Sequence, residues 1–445
     1  MGAAAYDLAS EPVDRPGRRP VAPLLADSTV YCPPSAPELT DGASLAISSA
    51  SSGDVPVRLE PLRVDETLDS SHVLVTQAPA EGAPTVSVFG GAVVAHGLFA
   101  FPGQTGGAGA APCSKVASGR WYFAAGSSEL GFDETLLISN PFLDEAVVRV
   151  VFYTSKGPVA KAGLADVAVP AGGAVQVAVN DYVLRQPLLA AEVLAKRGRV
   201  VAWKHQLRED SVVPGGSLTL GAAAAAPAWY FPDGALGPGF DERIFVLNPS
   251  EREAVVTVTL AGADRVVQPP DLVELSLPPL TALEVPLRRM APIPRRPIPV
   301  GAVLRSINGV EVVAERTVAN LDRAEGGVAA ETGAPRSARR WRLGPAVEHA
   351  ARDATVILNP GSRPATVRIT MLRSEGAPVR PRSLQGVRVP AGRARRLRIE
   401  RWTGGRPLAV EVAADRAVVA ERSAYSAREA DAAAAMGVAA PALDE

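Results

Sequence analysis

Apolar and polar positions alternate along this chain with a period of two. Eight residues after Asn140, Asn248 and Asn359 stand Val148, Val256 and Val367, and from each of these every second residue is apolar. The three series are Val148, Val150 and Phe152; Val256, Val258 and Leu260; and Val367, Ile369 and Met371. Between them lie Arg149 and Tyr153, Thr257 and Thr259, and Arg368 and Thr370. Side chains on a β-strand point to opposite faces in turn, so this spacing predicts half-buried strands, whereas helical spacing loses phase. Between residues 119 and 226 the pattern predicts about seven such strands, one around Trp121 and others over 135–139, 147–154, 164–169, 174–179, 188–194 and 200–205.

The strands belong to a larger repeat. Trp121, Trp229 and Trp341 lie 108 and 112 residues apart, and an Asn-Pro pair follows each after 19, 19 and 18 residues. Pro170, Pro278 and Pro390 come 30, 30 and 31 residues after the asparagines, and each repeat closes on a related run, VVAW, VVAE and VVAE, at 200–203, 312–315 and 418–421. Proline cannot donate to a sheet ladder and pushes its predecessor out of the helical region, so each pair is expected to end a strand. Each Trp is expected to fill a sandwich with one ring edge wet. The segment before Trp121 resembles a divergent fourth copy: it has apolar runs at 57–62 and 85–99 but neither the Trp nor the Asn-Pro. About seven antiparallel strands per ~100 residues predicts an all-β chain, a tandem array of four immunoglobulin-like β-sandwich domains. Their expected boundaries are 28–118, 119–226, 227–337 and 338–426, with poorly ordered tails at 1–27 and 427–445.

Composition agrees: of 445 residues 47% are apolar, which excludes wholesale disorder, and 40 Gly with 40 Pro suit many turns. Two cysteines, Cys32 and Cys113, bracket the first segment 81 residues apart. They read most simply as a disulfide, hence an oxidising compartment; two buried free thiols are the alternative. The N-terminus has no apolar h-region, and no uncharged apolar stretch reaches the ~18 residues of a membrane helix. The expectation is therefore an exported protein whose leader lies upstream of Met1, with membrane contact only through that leader or an anchor.

The openings WYFAAGSSELGFDETLLISNP and WYFPDGALGPGFDERIFVLNP, with VPAGGAVQV, resemble a family of secreted or membrane-anchored actinobacterial proteins of unknown function. The resemblance implies immunoglobulin-like repeats, each with a head Trp, a Gly-Phe-Asp-Glu turn and an Asn-Pro strand end, and an envelope location. It brings no catalytic or binding residue with it.

The chemistry in the sequence is sparse. P-loop, HExxH, CxxC and GxSxG motifs are absent. His72, His96, His205 and His349 are scattered without metal-ligand spacing, and the Gly-rich stretch 103–109 precedes Pro112 and Cys113, so it reads as an interdomain loop. Asp133-Glu134, Asp241-Glu242 and Asp353 recur six or seven residues before their Asn-Pro pairs. One or two carboxylates are too few for Ca²⁺, so a solvated turn or a pairing with a nearby Arg is expected. No catalytic, cofactor-binding or metal-ligating set is assigned.

Charge is unevenly spread. Residues 338–426 carry 18 Arg, no Lys and 7 acids, so the net charge of −1 is a cancellation. Arg373, Arg380, Arg382, Arg388, Arg393, Arg395, Arg396, Arg398, Arg401 and Arg406 crowd one stretch. Guanidinium forks suit phosphate or carboxylate, which points to an anionic envelope polymer or an envelope protein; a solvated arginine-rich face is the alternative. Without stacking aromatics beyond Trp402, nucleic acid is disfavoured, and no small-molecule substrate is evident. The expected role is a noncatalytic envelope scaffold, its rival an extracytoplasmic glycan hydrolase that assembles two carboxylates between repeats.

Overall fold

The computed structural model describes residues 26–36, 38–40, 42–79, 82–101, 108–209, 214–321, 327–345, 350–403, 408–426 and 432–439. The chain is all-β, built from antiparallel sheets that face each other in pairs. In the second repeat one sheet has the order 174–178, 132–139, 201–208, 215–220, and the facing sheet runs 157–160, 146–154, 190–197, 120–123. The first and third repeats follow the same order. The fourth departs from it through one 18-residue strand, Ala409–Ser426, that runs through both layers.

The landmarks of the sequence repeat become bonds. Trp121, Trp229 and Trp341 are at most 3% exposed, and their indole N–H groups donate to the carbonyls of Val200, Val312 and Val418 at 2.7, 2.7 and 2.8 Å. The rings are wholly inside, not wet at one edge, because the closing strand supplies the acceptor. Each Asn side chain pins two places at once. The Asn140, Asn248 and Asn359 amides donate to the carbonyls of residues 144, 252 and 363 across the turn, and to Val169, Leu277 and Val389, the residues just before the second prolines. That second bond explains the fixed spacing between Asn-Pro and Val-Pro or Leu-Pro.

The first repeat, lacking Trp and Asn, is closed by the Cys32–Cys113 disulfide. By strand register Cys32 corresponds to Phe123, Phe231 and Leu343, and Cys113 to Gly221, Gly333 and Gly437. In the other three repeats the large side chain lies on the glycine so closely that an added Cβ would come within 2.8, 2.7 and 2.5 Å of it. The disulfide thus occupies the place of an apolar contact that requires glycine.

The tandem array closes on itself. Inner strands Ala108–Pro112, Gly215–Leu220, Gly327–Thr332 and Ala432–Met436 pack in sequence, the last against the first. Thr219 and Thr332 hydroxyls donate to the Ala330 and Leu220 carbonyls across one of these joints. Hydrophobic cores follow the same circuit. Phe99 and Phe101 of the first sandwich join the second core, Tyr122, Val151 and Tyr153 of the second join the third, and Tyr230 and Val303 join the fourth. Ala46 and Val73 meet Leu372 and Ala409 to complete the ring, where Val73 N–H donates to the Arg373 carbonyl. This is why Tyr153, expected on a solvent face, is 5% exposed.

Two linker assignments change. Residues 108–109 of the Gly-rich stretch begin an inner strand, while 103–107 lie outside the described residues. The segment expected to be a tail from 427 contributes strands Ala432–Met436 and Val438–Ala439, which pair with Ala409–Ser426 and Ala338–Leu343. Residues 1–25 of the expected N-terminal tail lie outside the described residues.

Candidate functional site

Of the recurring acids, Asp133 is exposed and Asp241 pairs with Arg243 at 2.7 Å, but the other three do not sit in solvated turns. Glu134, Glu242 and Asp353 are at most 2% exposed on the strands Phe132–Ser139, Phe240–Asn248 and Ala350–Leu358. Each faces a base two residues past the closing Val-Val-Ala run: Lys204, Arg316 or Arg422. Acid and base come from neighbouring strands of one sheet, and Lys204 and Arg316 reach toward the next sandwich.

At the joint between the second and third sandwiches, Glu315 accepts the Ala124 and Ala125 N–H groups at 3.0 and 3.1 Å and the Lys204 ammonium at 2.7 Å. Lys204 also donates to the Ala125 carbonyl. Between the third and fourth sandwiches the same position is Glu421, which accepts Asp233 N–H at 2.9 Å and Arg316 at 2.7 Å. Arg316 reaches Glu331 at 2.5 Å as well, and Arg396 pairs with Asp233. Where the fourth sandwich meets the first, the plan differs. Arg422 is held inside its own repeat, bidentate to Asp353 at 2.9 and 2.6 Å, and the His96 ring lies against Gly344. Between the first and second, Trp203 takes the position and donates to the Pro112 carbonyl.

Burial dominates the titration of these groups. It pushes Glu134 up to about 7 and Glu242 to about 8 despite the nearby Lys204 and Arg316. Glu331 stands well above the usual carboxylate range because it is buried beside Glu421, and burial raises Glu421 as well despite Arg316. All of these groups are sealed behind sheets. Glu315 and Glu421 meet backbone amides and cations of the neighbouring repeat, while Glu134, Glu242, Glu331 and Asp353 are bonded within their own, so the arrangement fixes orientation rather than meeting a substrate. Among the described residues no group of three or more His, Cys, Asp or Glu is placed to hold a metal ion.

Exposed chemistry is concentrated on the fourth sandwich. A cavity of about 390 Å³ is lined by Ser383, Leu384, Leu397, Glu400 and Trp402, together with Arg395, Arg396, Arg398 and Arg401. Arg401 stacks on the Trp402 ring at 3.8 Å and reaches the Ser383 hydroxyl, while Arg395 donates to the Arg388 carbonyl at 2.8 Å. The structure therefore divides the ten arginines. Four line the cavity. Arg380, Arg382 and Arg388 are exposed outside its lining, and half-buried Arg393 holds the turn through its carbonyl to Asn359 N–H. Arg373 belongs to the contact with the first sandwich, and Arg406 lies outside the described residues. His205 is a core residue 5.3 Å from the Phe101 ring, depressed to about 4 by burial. His349 lies outside the described residues.

The profile of a family of unknown function, DUF5719, matches residues 64–292, just over half of the chain. The chain belongs to this family. The DUF5719 match covers most of the first two sandwiches and the third as far as its Thr281–Pro286 strand. A second profile, that of the Anabaena sensory rhodopsin transducer, matches residues 337–440, the fourth sandwich. No curated protein matches. Among solved structures, the crystal structure of Thermotoga maritima 1070 is 21% identical, with a TM-score of 0.22, and spans 25% of this chain and 94% of its own. The Anabaena sensory rhodopsin transducer is 24% identical, with a TM-score of 0.18, over 21% of this chain and 96% of its own.

Sequence reasoning missed Lys204, Arg316, Arg422 and Glu331. A signal was present: each acid six residues before an Asn-Pro is matched by a base two residues after the closing Val-Val-Ala run. Reading it requires knowing that those two strands are neighbours, and the first repeat, with Gly97 in the base position, breaks the pattern.

Proposed function

We propose that this member of DUF5719 is a noncatalytic extracytoplasmic scaffold, a ring of four immunoglobulin-like sandwiches whose fourth member binds an anionic envelope polymer or an acidic envelope protein. One contrast carries this reading. The carboxylates that a hydrolase would need are buried and bonded to structural partners, whereas Arg395, Arg398 and Arg401, which make no ion pair among the described residues, are exposed on the fourth sandwich. Both matched families fit a noncatalytic role, one being of unknown function and the other named for a transducer. The disulfide supports an oxidising compartment. Four units, divided near residues 118, 226 and 337, are part of the proposal, with the fourth extended to include the strands up to 439.

Retention of the purified full chain on isolated cell-wall fractions across a salt series tests the reading. Screened electrostatics predict retention at low ionic strength and release as salt rises through a few tenths molar, on the order of the range in which counterions displace arginine contacts. Absence of retention at the lowest salt would overturn it.

A further inference from the structure

The three matched repeats contain an internal control for the arginine-lined cavity. Counting from Pro170, Pro278 and Pro390, the strands Ala174–Ala178, Thr281–Pro286 and Ala394–Arg398 occupy the same place, each pairing antiparallel with the strand that ends in the Asn of its repeat. Their inward positions are interchangeable. Val177, Val285 and Leu397 are buried, as are Val179, Leu287 and Ile399. The remaining positions are not: where the fourth repeat has Arg395, Arg398 and Arg401, the second has Val175, Ala178 and Asp181, and the third has Leu283, Pro286 and Arg289. A strand edge can be guarded against pairing by any charge or by proline, as Pro286 shows, so the fold does not call for three arginines here.

Nor are these three arginines neutralised by an acid among the described residues. Arg396 is balanced by Asp233, but Arg395, Arg398 and Arg401 make no ion pair among the described residues. With Glu400 on the lining, the cavity keeps a surplus of two positive charges. Arg401 is pre-oriented by its stacking on Trp402, which leaves the guanidinium edge as the bonding surface. One fork saturates the two oxygens of a carboxylate, whereas a phosphate group offers three or more oxygens and can be shared among several guanidiniums.

We propose that Arg395, Arg398 and Arg401 form a phosphate-binding pocket, so that the polymer of the preceding proposal is a phosphate-bearing one gripped at this cavity and not over the whole arginine-rich face. This rests on the anionic-polymer reading and narrows it. Arg401 is the positioned fork; Arg395 and Arg398 supply charge from the strand edge; Leu384 and Leu397 form an apolar floor that keeps water from competing.

The test is calorimetric titration of the full-length chain with inorganic polyphosphate and, separately, with polyglutamate at two salt concentrations. The pocket variant Arg395→Val with Arg398→Ala places the side chains of the second repeat on the strand, so the fold is expected to survive. Its control, Arg363→Ala with Arg368→Ala, removes the same charge from exposed positions of the same sandwich outside the cavity lining. Expected are polyphosphate binding weakened at least tenfold by the pocket variant and less than about twofold by the control, with Arg401→Lys also weakened because charge without the fork does not suffice. Equal losses in the pocket variant and the control would overturn the pocket while leaving an anionic-polymer scaffold standing. Polyglutamate bound as tightly, with the same dependence on the pocket, would overturn the phosphate assignment. If the unmodified chain bound neither polymer, both this proposal and the one beneath it would fall. Should the double variant unfold by circular dichroism, Arg401→Lys and Arg398→Ala singly give the same comparison.

Discussion

The joint between the second and third sandwiches and the joint between the fourth and first use one position of the fold in opposite ways. At the first, Glu315 crosses to the neighbouring repeat and collects two backbone amides and Lys204. At the second, His96 stands in that place against Gly344, and Arg422 turns back to Asp353 within its own sandwich. An ionic joint is specific because misplacement strands a buried charge; a packed joint tolerates small adjustment. The ring is therefore specified by buried charge where its repeats resemble one another most, and closed by packing together with hydrogen bonds such as Val73 N–H to the Arg373 carbonyl where the divergent first repeat enters.

Removing Glu315 breaks this contrast most severely. Glu315→Ala leaves Lys204 buried without its carboxylate and two amides without acceptors, and should cost about 3–5 kcal/mol, the usual penalty for halving a buried pair. Glu421→Ala, at the corresponding place in the next joint, should cost less by about 1–2 kcal/mol, because Arg316 still has Glu331, whose charged form is favoured once its acidic neighbour is gone. Denaturant titration of both variants measures the difference; equal losses would mean that Glu331 offers no second partner.

Next in size is the disulfide. Reduction, or Cys32→Ser with Cys113→Ser, opens an 81-residue loop and should destabilise the chain by about 2–5 kcal/mol. The effect should concentrate on the first sandwich and its two packed joints, which hydrogen exchange can resolve. Uniform loss of protection around all four repeats would show that the ring unfolds as one unit and that the two kinds of joint do not differ in cooperativity.

Much of the fold was legible because its landmarks act locally or at fixed separations. Val148, Val150 and Phe152 announce a strand by alternation, and Asn140 and Pro170 keep their distance because an amide spans it. Ring closure was not legible. The inner strand Gly215–Leu220, which opens on two glycines, is not among the seven strands the pattern predicts, yet a Cβ on Gly216 would lie 2.5 Å from the Phe101 ring of the preceding sandwich. Close approach between repeats requires glycine, and glycine is what conceals the strand. The acids Glu134, Glu242 and Asp353 were visible as a recurrence, but their burial follows from the bases opposite and the neighbouring sandwich above, both distant in sequence.

The smallest expected effect is a pH dependence that belongs to the ionic joints alone. Glu242 is held up to about 8 by burial, with Arg316 opposing that shift and Asp233 and Glu421 adding to it. Glu134 is held to about 7, with Lys204 opposing and Glu315 adding. In the unfolded chain both titrate near 4.5, so between that value and 7–8 the fold binds protons that the unfolded chain has released. Their stabilisation is complete below about 4.5 and is lost as pH rises through about 8. His205 works in the other direction: depressed to about 4, its contribution is present above the ordinary imidazole value of 6.5 and is lost as pH falls through the folded one. On account of these three groups the melting temperature should therefore fall as pH rises from about 4.5 to about 8, the two carboxyls outweighing the single imidazole, which makes the fall shallower below about 6.5. Glu242→Gln, which keeps an acceptor for the Ala235 N–H and needs no proton, should make this fall shallower and leave the opposing imidazole contribution unchanged. Glu134→Gln should do the same over a window about one pH unit lower. If neither substitution makes the fall shallower, the carboxyls are ionised in the fold and the joints are held by charge alone.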